Sequence, residues 1–237
     1  MRALRRDVTI LGGRFPVVAV GLAATTLVLT ILGANVGAVQ DLGLMPPSLV
    51  WQGQVWRLLT WSLFEFQPLS LVFVCLAFVF FGRELAYTWG PVGFLKICAG
   101  IVLGSGALTC LIARFVWGRL YDFPYWSAWA LGTALIIAYA TLFPSRTILV
   151  YFILPLSGRR LLIVTVAGTL LFALMTSVAF FVPHFLAQGL MYAYLRGYSP
   201  RLLWLRLKAR TVRWSPSRRP SHLRPVDRDD EPPRWLH

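Results

Sequence analysis

Few residues in this chain are of types that do chemistry, and they are scattered. His184 opens the apolar segment PHFLAQGLMYAYL, while Glu65, Glu84 and Asp122 stand at the junctions between other apolar segments. Ionisable groups of this kind are the first place to look for transport or catalysis in a lipid-spanning chain, because charge in hydrocarbon is costly. A coupled proton or ion relay needs several carboxylates or histidines at mid-depth. The sequence puts none there, which makes a small-solute transporter the least favoured of three functional classes. Cys75, Cys98 and Cys110 lie inside apolar runs, odd in number and without CxxC spacing. They read as free thiols packing like small apolar groups, with neither a disulfide framework nor a zinc site. No P-loop, GxGxxG or HExxH pattern occurs, and neither a cofactor nor a metal is expected.

Whatever these residues do, the elements that hold them face lipid. The chain has 237 residues, 57% of them hydrophobic and only 14% charged, with 23 Lys+Arg against 9 Asp+Glu and a net charge of +14. A water-soluble domain carries roughly 25% charged residues. A membrane helix needs about 20 mostly apolar residues to cross about 30 Å of hydrocarbon. Six segments qualify: Phe15–Ala38, Pro68–Ala86, Gly93–Phe115, Pro124–Phe143, Leu161–Val182 and a shorter Pro183–Leu195. An earlier start for the last would place the hinge before it near Met175. The first is longer than the 7 to 15 residues of a signal-peptide core, so it reads as a retained span. The expected architecture is an all-α polytopic membrane protein of six transmembrane helices. Residues 1–14 form a cytoplasmic N-terminus, 15–197 the membrane domain with an interfacial loop at 40–67, and 198–237 a basic, largely disordered cytoplasmic tail.

Charge orients these spans. With alternation from a cytoplasmic N-terminus, 20 of the 23 basic residues fall on the inside and only Arg57, Arg114 and Arg119 outside. By the positive-inside rule this puts both termini in the cytoplasm, and the membrane expected is a bacterial plasma membrane. Trp51, Trp56 and Trp61 favour the headgroup level and suggest short helices lying in the outer leaflet. TILVYFILPLSGRR, from Thr147 to Arg160, is too short to cross and reads as an interfacial segment on the inner side. Between Leu202 and Trp214, Arg206, Lys208, Arg210 and Arg213 interleave with apolar residues, as in a surface-lying amphipathic helix. Membrane lipids are the expected partners of the tail; no nucleic-acid motif is present.

Two small-residue patterns bear on packing. Gly100, Gly104 and Gly106 in the third span carry GxxxG spacing, which lets another helix approach closely. In the fourth, Ser127, Ala128, Ala130, Gly132, Thr133 and Ala134 make the N-terminal half small apart from Trp126 and Trp129, as in a central helix.

Three stretches together resemble the rhomboid intramembrane proteases. They are GQVWRLLTWSLFEFQPLSLVFVCLAFVFFGRELAYTWG from Gly53 to Gly90, AYATLFPSRTILVYFILPLSGRRLL from Ala138 to Leu162, and PHFLAQGLMYAYL from Pro183 to Leu195. The resemblance implies a Ser-His pair, with the serine in a GxSG motif of the fourth span and the histidine in the sixth. A His and an Asn of the second span would help hold the oxyanion.

Here the sequence departs from the family. Counted without gaps from AYATLFP, the GxSG window falls on Ser127 to Ala130 and the nucleophile position on Trp129. The same count from Trp56-Arg57 puts the second-span His at Ser70 and the Asn at Val74, leaving His184 alone in place. Ser127 lies two residues earlier, about 200° around a helix, and is expected to face away from His184 unless the register shifts. Ala187 and Met191 stand where rhomboids keep small residues, as in a filled active site. The resemblance therefore implies a catalytically inactive, rhomboid-like pseudoprotease that binds client transmembrane helices, with Trp56 and Arg57 anchoring the first loop. The alternative is an active intramembrane serine protease using Ser127 and His184.

Overall fold

A computed structural model describes residues 7–10, 13–150 and 154–197. The basic tail, including the amphipathic segment expected from Leu202 to Trp214, lies outside the described residues. Helix α1 (Val17–Asn35) is followed by three short helices, α2 (Gly37–Gly43), α3 (Pro47–Trp51) and α4 (Arg57–Thr60). Then come α5 (Pro68–Trp89), α6 (Pro91–Phe115), α7 (Ala128–Leu142), α8 (Gly158–Met175) and α9 (Val178–Leu195). Strands β1 (Asp7–Ile10) and β2 (Gly13–Pro16) form one antiparallel hairpin, and β3 (Thr147–Val150) and β4 (Leu154–Ser157) another. The second hairpin is the form taken by the segment read as interfacial.

Among the described residues five helices, α1, α5, α6, α8 and α9, are long and apolar enough to cross a bilayer. Proline marks two of their starts: Pro68 and Pro91 occupy the first helical turns of α5 and α6, where the missing N–H has no partner to lose. Gly90 alone separates these helices at φ +71°, a left-handed conformation that a side chain would strain. Helices α8 and α9 meet at Thr176 and Ser177, so the sixth span begins before Pro183 and the hinge lies beside Met175.

The sixth large helix differs in kind. At 15 residues α7 is about 22 Å long, too short to span the hydrocarbon. Twelve of its residues are nevertheless buried, and it packs against α5, α8 and most extensively α9. Small side chains permit this. A Cβ on Gly132 would come within 2.9 Å of Val74 Cγ2 on α5. In α6, Gly104 receives Leu190 of α9 and Gly106 receives Leu58, Trp61 and Met45, whereas Gly100, the other half of the GxxxG spacing, has nothing within 4 Å of its Cβ position.

Two sequence expectations are corrected. The fourth span was expected from Pro124, but the helix starts at Ala128, because the residues before it run extended and pair with the first loop: the Met45 N–H donates to the Tyr125 carbonyl at 2.9 Å and Ser48 N–H to that of Tyr121 at 2.9 Å. Trp61 is not at the headgroup level. It is 1% exposed, its indole N–H donating to the Leu58 carbonyl at 3.1 Å, whereas Trp51 and Trp56 are about half exposed (48% and 51%). An indole whose N–H finds a backbone acceptor can be buried without loss.

Gly158 starts α8 in close contact with the end of α7. A Cβ there would strike the Phe143 carbonyl oxygen and come within 2.9 Å of Pro144 Cα, backbone atoms that cannot move aside. Gly158→Ala is expected to destabilise the protein by about 1–3 kcal/mol, the usual range for overpacking. Gly21→Ala, where nothing lies within 4 Å, should leave stability unchanged or slightly higher. Thermal unfolding of the two variants in the same detergent checks the contrast.

Candidate functional site

The first loop is laced to itself before it meets the bundle. The carbonyls that end a helix have no intrahelical donor, and Arg57 supplies them: its Nη1 donates to the Asp41 carbonyl and, at 2.5 Å, to that of Leu44, while Nε donates to Gln54 Oε1 at 2.6 Å. Thr60 Oγ1 donates to the Leu42 carbonyl at 2.6 Å. Trp56 beside it is exposed. Arg57 thus holds α2 to α4, and the loop carries the following residues, Trp61 to Glu65, to the head of α7.

There the polar residues meet. Ser127 is the N-cap of α7, its Oγ accepting the Trp129 N–H at 3.2 Å. The same hydroxyl donates to Glu65 Oε2 at 2.9 Å and lies 3.1 Å from His184 Nε2 of α9. Glu65 Oε2 also accepts the Trp129 N–H at 3.3 Å, and the Glu65 N–H donates to Thr30 Oγ1 of α1 at 3.0 Å. All of Thr30, Glu65, Ser127 and His184 are buried. One hydrogen-bonded chain therefore crosses the bundle from α1 through the loop and α7 to α9. His184 packs at a tilt against two aromatic rings, Phe181 at 4.7 Å and Phe180 at 5.6 Å. Its Nδ1 is buried and has no hydrogen-bond partner among the described residues.

Ser127 reaches His184, contrary to the expectation that it faces away. That expectation applied helical rotation to a residue outside the helix: as N-cap, Ser127 has extended backbone at φ 175° and ψ 116°. Trp129, the counted nucleophile position, instead lines a groove between α5, α7 and α8. Val74 is fully buried against Gly132, and Ser70 Oγ donates to Gln67 Oε1 at 3.2 Å. Ala187 and Met191 are buried beside His184 on α9. Glu65 was missed as a partner. The only hint was a lone acid between two phenylalanines, Phe64-Glu-Phe66, in an apolar stretch. Its sequence neighbours say "junction", and only the fold of the loop turns it inward.

The hydroxyl of Ser127 is committed to Glu65 and to the start of its own helix. A serine hydroxyl has one donor and two acceptor positions. With its proton directed at Glu65, one lone pair receives the Trp129 N–H and the other faces His184 Nε2. A carboxylate beside the oxygen opposes any negative charge developing there, and the amide best placed to stabilise one is already bonded to that carboxylate.

No metal-ligating group of three or more His, Cys, Asp or Glu residues occurs among the described residues. Cys75, Cys98 and Cys110 are free thiols, with Cys98 and Cys110 buried. What the fold and this buried site define is a polytopic, all-α integral membrane protein. The chain belongs to a family described as eukaryotic integral membrane protein (DUF1751), whose model matches residues 17–204. The expected bacterial plasma membrane is accordingly not borne out. Comparison with curated proteins finds none that matches.

Glu65 lies between the 3-10 turn Trp61–Leu63 and α5, outside the spanning helices. Burial pushes its carboxyl above the ordinary 4.5, opposed by hydrogen bonds from Ser127, Trp129 and Gln67. An acid whose folded value is raised contributes stability fully present below its unfolded value and lost as pH rises through the folded one. Wild-type stability should therefore fall as pH rises from about 4.5 through the raised value of Glu65. Glu65→Gln should remove that slope and match or exceed the wild type at alkaline pH. Melting curves across a pH series are the measurement.

Proposed function

We propose that this is a rhomboid-like pseudoprotease, a membrane protein that binds client transmembrane helices laterally and does not cleave them. The observation carrying this reading is the commitment of Ser127 as the N-cap of α7, its Oγ accepting the Trp129 N–H and donating to Glu65. A nucleophile needs a lone pair free for the carbonyl and donors aimed at the developing oxyanion. In this arrangement the Ser127 proton is directed at Glu65 and not at His184, and Val74 supplies no donor from α5. For client binding, α8 is the least buried of the five long helices. It presents Ile163, Val164, Leu170 and Leu171 outward, all at least half exposed. Gly168, with nothing within 4 Å of its Cβ position, leaves room for close approach of another helix.

A second reading has a specific observation in its favour. Ser127 Oγ and His184 Nε2 are at hydrogen-bond distance, and a protonated Glu65 would donate to Ser127 and let it donate to His184. This is the active serine protease, with Ser127 as nucleophile and His184 as base.

A fluorophosphonate probe separates the two. No labelling of Ser127 is expected between pH 5 and 8, and a photo-crosslinker at Leu171 should capture membrane-spanning clients. Capture should persist in Ser127→Ala and His184→Ala and weaken in Trp129→Gly and Arg57→Ala, which disturb packing. Labelling lost in Ser127→Ala, or cleavage of a reconstituted transmembrane substrate lost with it, would overturn the pseudoprotease.

We further propose that both termini are cytoplasmic. Seven of the ten basic residues among the described residues lie at the end of the bundle that holds both hairpins, and the positive-inside rule makes that end cytoplasmic. Reporters after His237 and within Gln40–Gln54 should show opposite sidedness.

A further inference from the structure

A groove of about 510 Å³ opens between α5, α7 and α8, which close around it incompletely because α5 and α8 share few contacts. Along its length it is apolar, lined by Leu76, Ala77, Phe80, Trp129, Ile136 and Tyr139. At one end it is charged, with Arg83, Glu84 and Arg146. From Phe73 to Arg83 on α5, and from Trp129 to Tyr139 on α7, the lining covers about 15 Å of helix. That is about half of a 30 Å hydrocarbon core. The groove thus has the depth of one leaflet, with its charged end at the membrane face. It is too small for a helix and suits one chain of hydrocarbon beneath a polar head.

The charged end selects the head. Arg146 and Glu84 pair at 2.9 Å, but both are partly exposed (55% and 35%), and such a pair is weak and easily rearranged. Arg83 lies with its guanidinium 5.0 Å over the Phe15 ring, and its Nε is buried without a hydrogen-bond partner among the described residues. Arg159 is brought alongside, its N–H donating to the Pro144 carbonyl at 3.4 Å and the preceding Gly158 N–H to that of Arg146 at 3.1 Å. Arg159 and Arg160 stand in the first turn of α8, where the helix dipole disfavours cations and favours an anion. Among the side chains that line the groove, Arg83 and Arg146 against Glu84 leave an excess of positive charge.

We infer that this groove is a binding site for one anionic phospholipid of the leaflet on the basic side, its acyl chain lying between α5 and α8 on α7 and its phosphate at Arg83 and Arg146. The inference goes beyond the pseudoprotease reading and is independent of the fate of Ser127.

Native mass spectrometry of the full chain, released from detergent in the presence of phosphatidylserine and phosphatidylcholine with matched acyl chains, tests it. The wild type should retain one phosphatidylserine in preference to phosphatidylcholine. Arg83→Gln and Arg146→Gln should each reduce that preference, by about fivefold per basic residue, while still retaining a lipid. Ala77→Phe should fill the groove and abolish retention of both; Leu76→Trp, at a side chain already 40% exposed, makes the same test without demanding that the core adapt. Equal retention of the two lipids by the wild type, or retention unchanged in Leu76→Trp, would overturn the site. Loss of client capture at Leu171 in Leu76→Trp with lipid retention intact would also overturn it.

Discussion

The N-terminus of α7 sets the terms for the rest of the molecule. Helix α7 is shorter than the hydrocarbon is thick, so at least one of its ends is submerged, and a helix N-terminus carries amide N–H groups with no intrahelical acceptor. In lipid each such group left unsatisfied costs several kcal/mol. The acceptors come from a single piece of the first loop and from the cap itself. The Ala128 N–H donates to the Phe64 carbonyl at 2.8 Å, Trp129 N–H to Glu65 and Ser127, and Ala130 N–H to the Ser127 carbonyl at 3.4 Å. Ser127 N–H donates to the Trp61 carbonyl at 3.0 Å. The first loop is therefore part of the core. Its lacing by Arg57, the burial of Trp61 and Phe64, and the close approach of Gly43 to the Phe64 ring all follow from the need to bring residues 61 to 65 to this place.

Glu65 answers the same need and changes the chemistry. A carboxylate at a helix N-terminus is favoured by the dipole, and here it also closes a chain from Thr30 to His184 that ties three helices together. Capping and catalysis compete for the same oxygen. A serine that caps its helix and donates to a carboxylate has given one lone pair to the cap and its proton to a group other than the base. Closeness of Ser127 and His184 is by itself evidence of packing; what the proton and lone pairs are committed to decides whether it is also evidence of reactivity.

Much of this was legible in the sequence. Hydropathy located the long helices, and the run of small residues from Ala128 to Ala134 marked the central one. The aromatic and polar mixture between Gln40 and Gln67 marked short helices. What could not be read were features made by residues far apart in the chain. The register of Ser127 was misjudged because helical rotation was carried past the start of the helix, and that start is decided by pairing of Tyr125 with Met45, 80 positions away. Trp61 was placed by its type at the headgroups, though its partner, the Leu58 carbonyl, lies three residues earlier in a turn that exists only because the loop folds inward. Glu65 follows the same logic: burial of an acid is set by its partners, Ser127 and Trp129, which are more than 60 residues away.

The packing is also unequal around α7, and the inequality has a direction. On one side α9 covers the helix closely, with Gln188 of α9 donating to Thr169 Oγ1 of α8 at 2.8 Å to pin the α8–α9 pair. On the other, α5 and α8 each pack on α7 but leave between them the groove that Trp129 lines. The buried polar chain runs through the covered side, where water and lipid are excluded. The exposed aromatic and aliphatic surface lies on the open side. In hydrocarbon there is no solvent penalty for leaving that side open, since lipid tails are as apolar as the side chains, and helix association in a membrane rests on packing and polar contacts instead. A bundle held together on one face by hydrogen bonds can thus leave the other free to exchange contacts with the membrane. Under the proposed function, that division leaves packing to Ser127 and His184 and recognition to α5 and α8, so that the residues most like an active site are not the ones that meet a ligand.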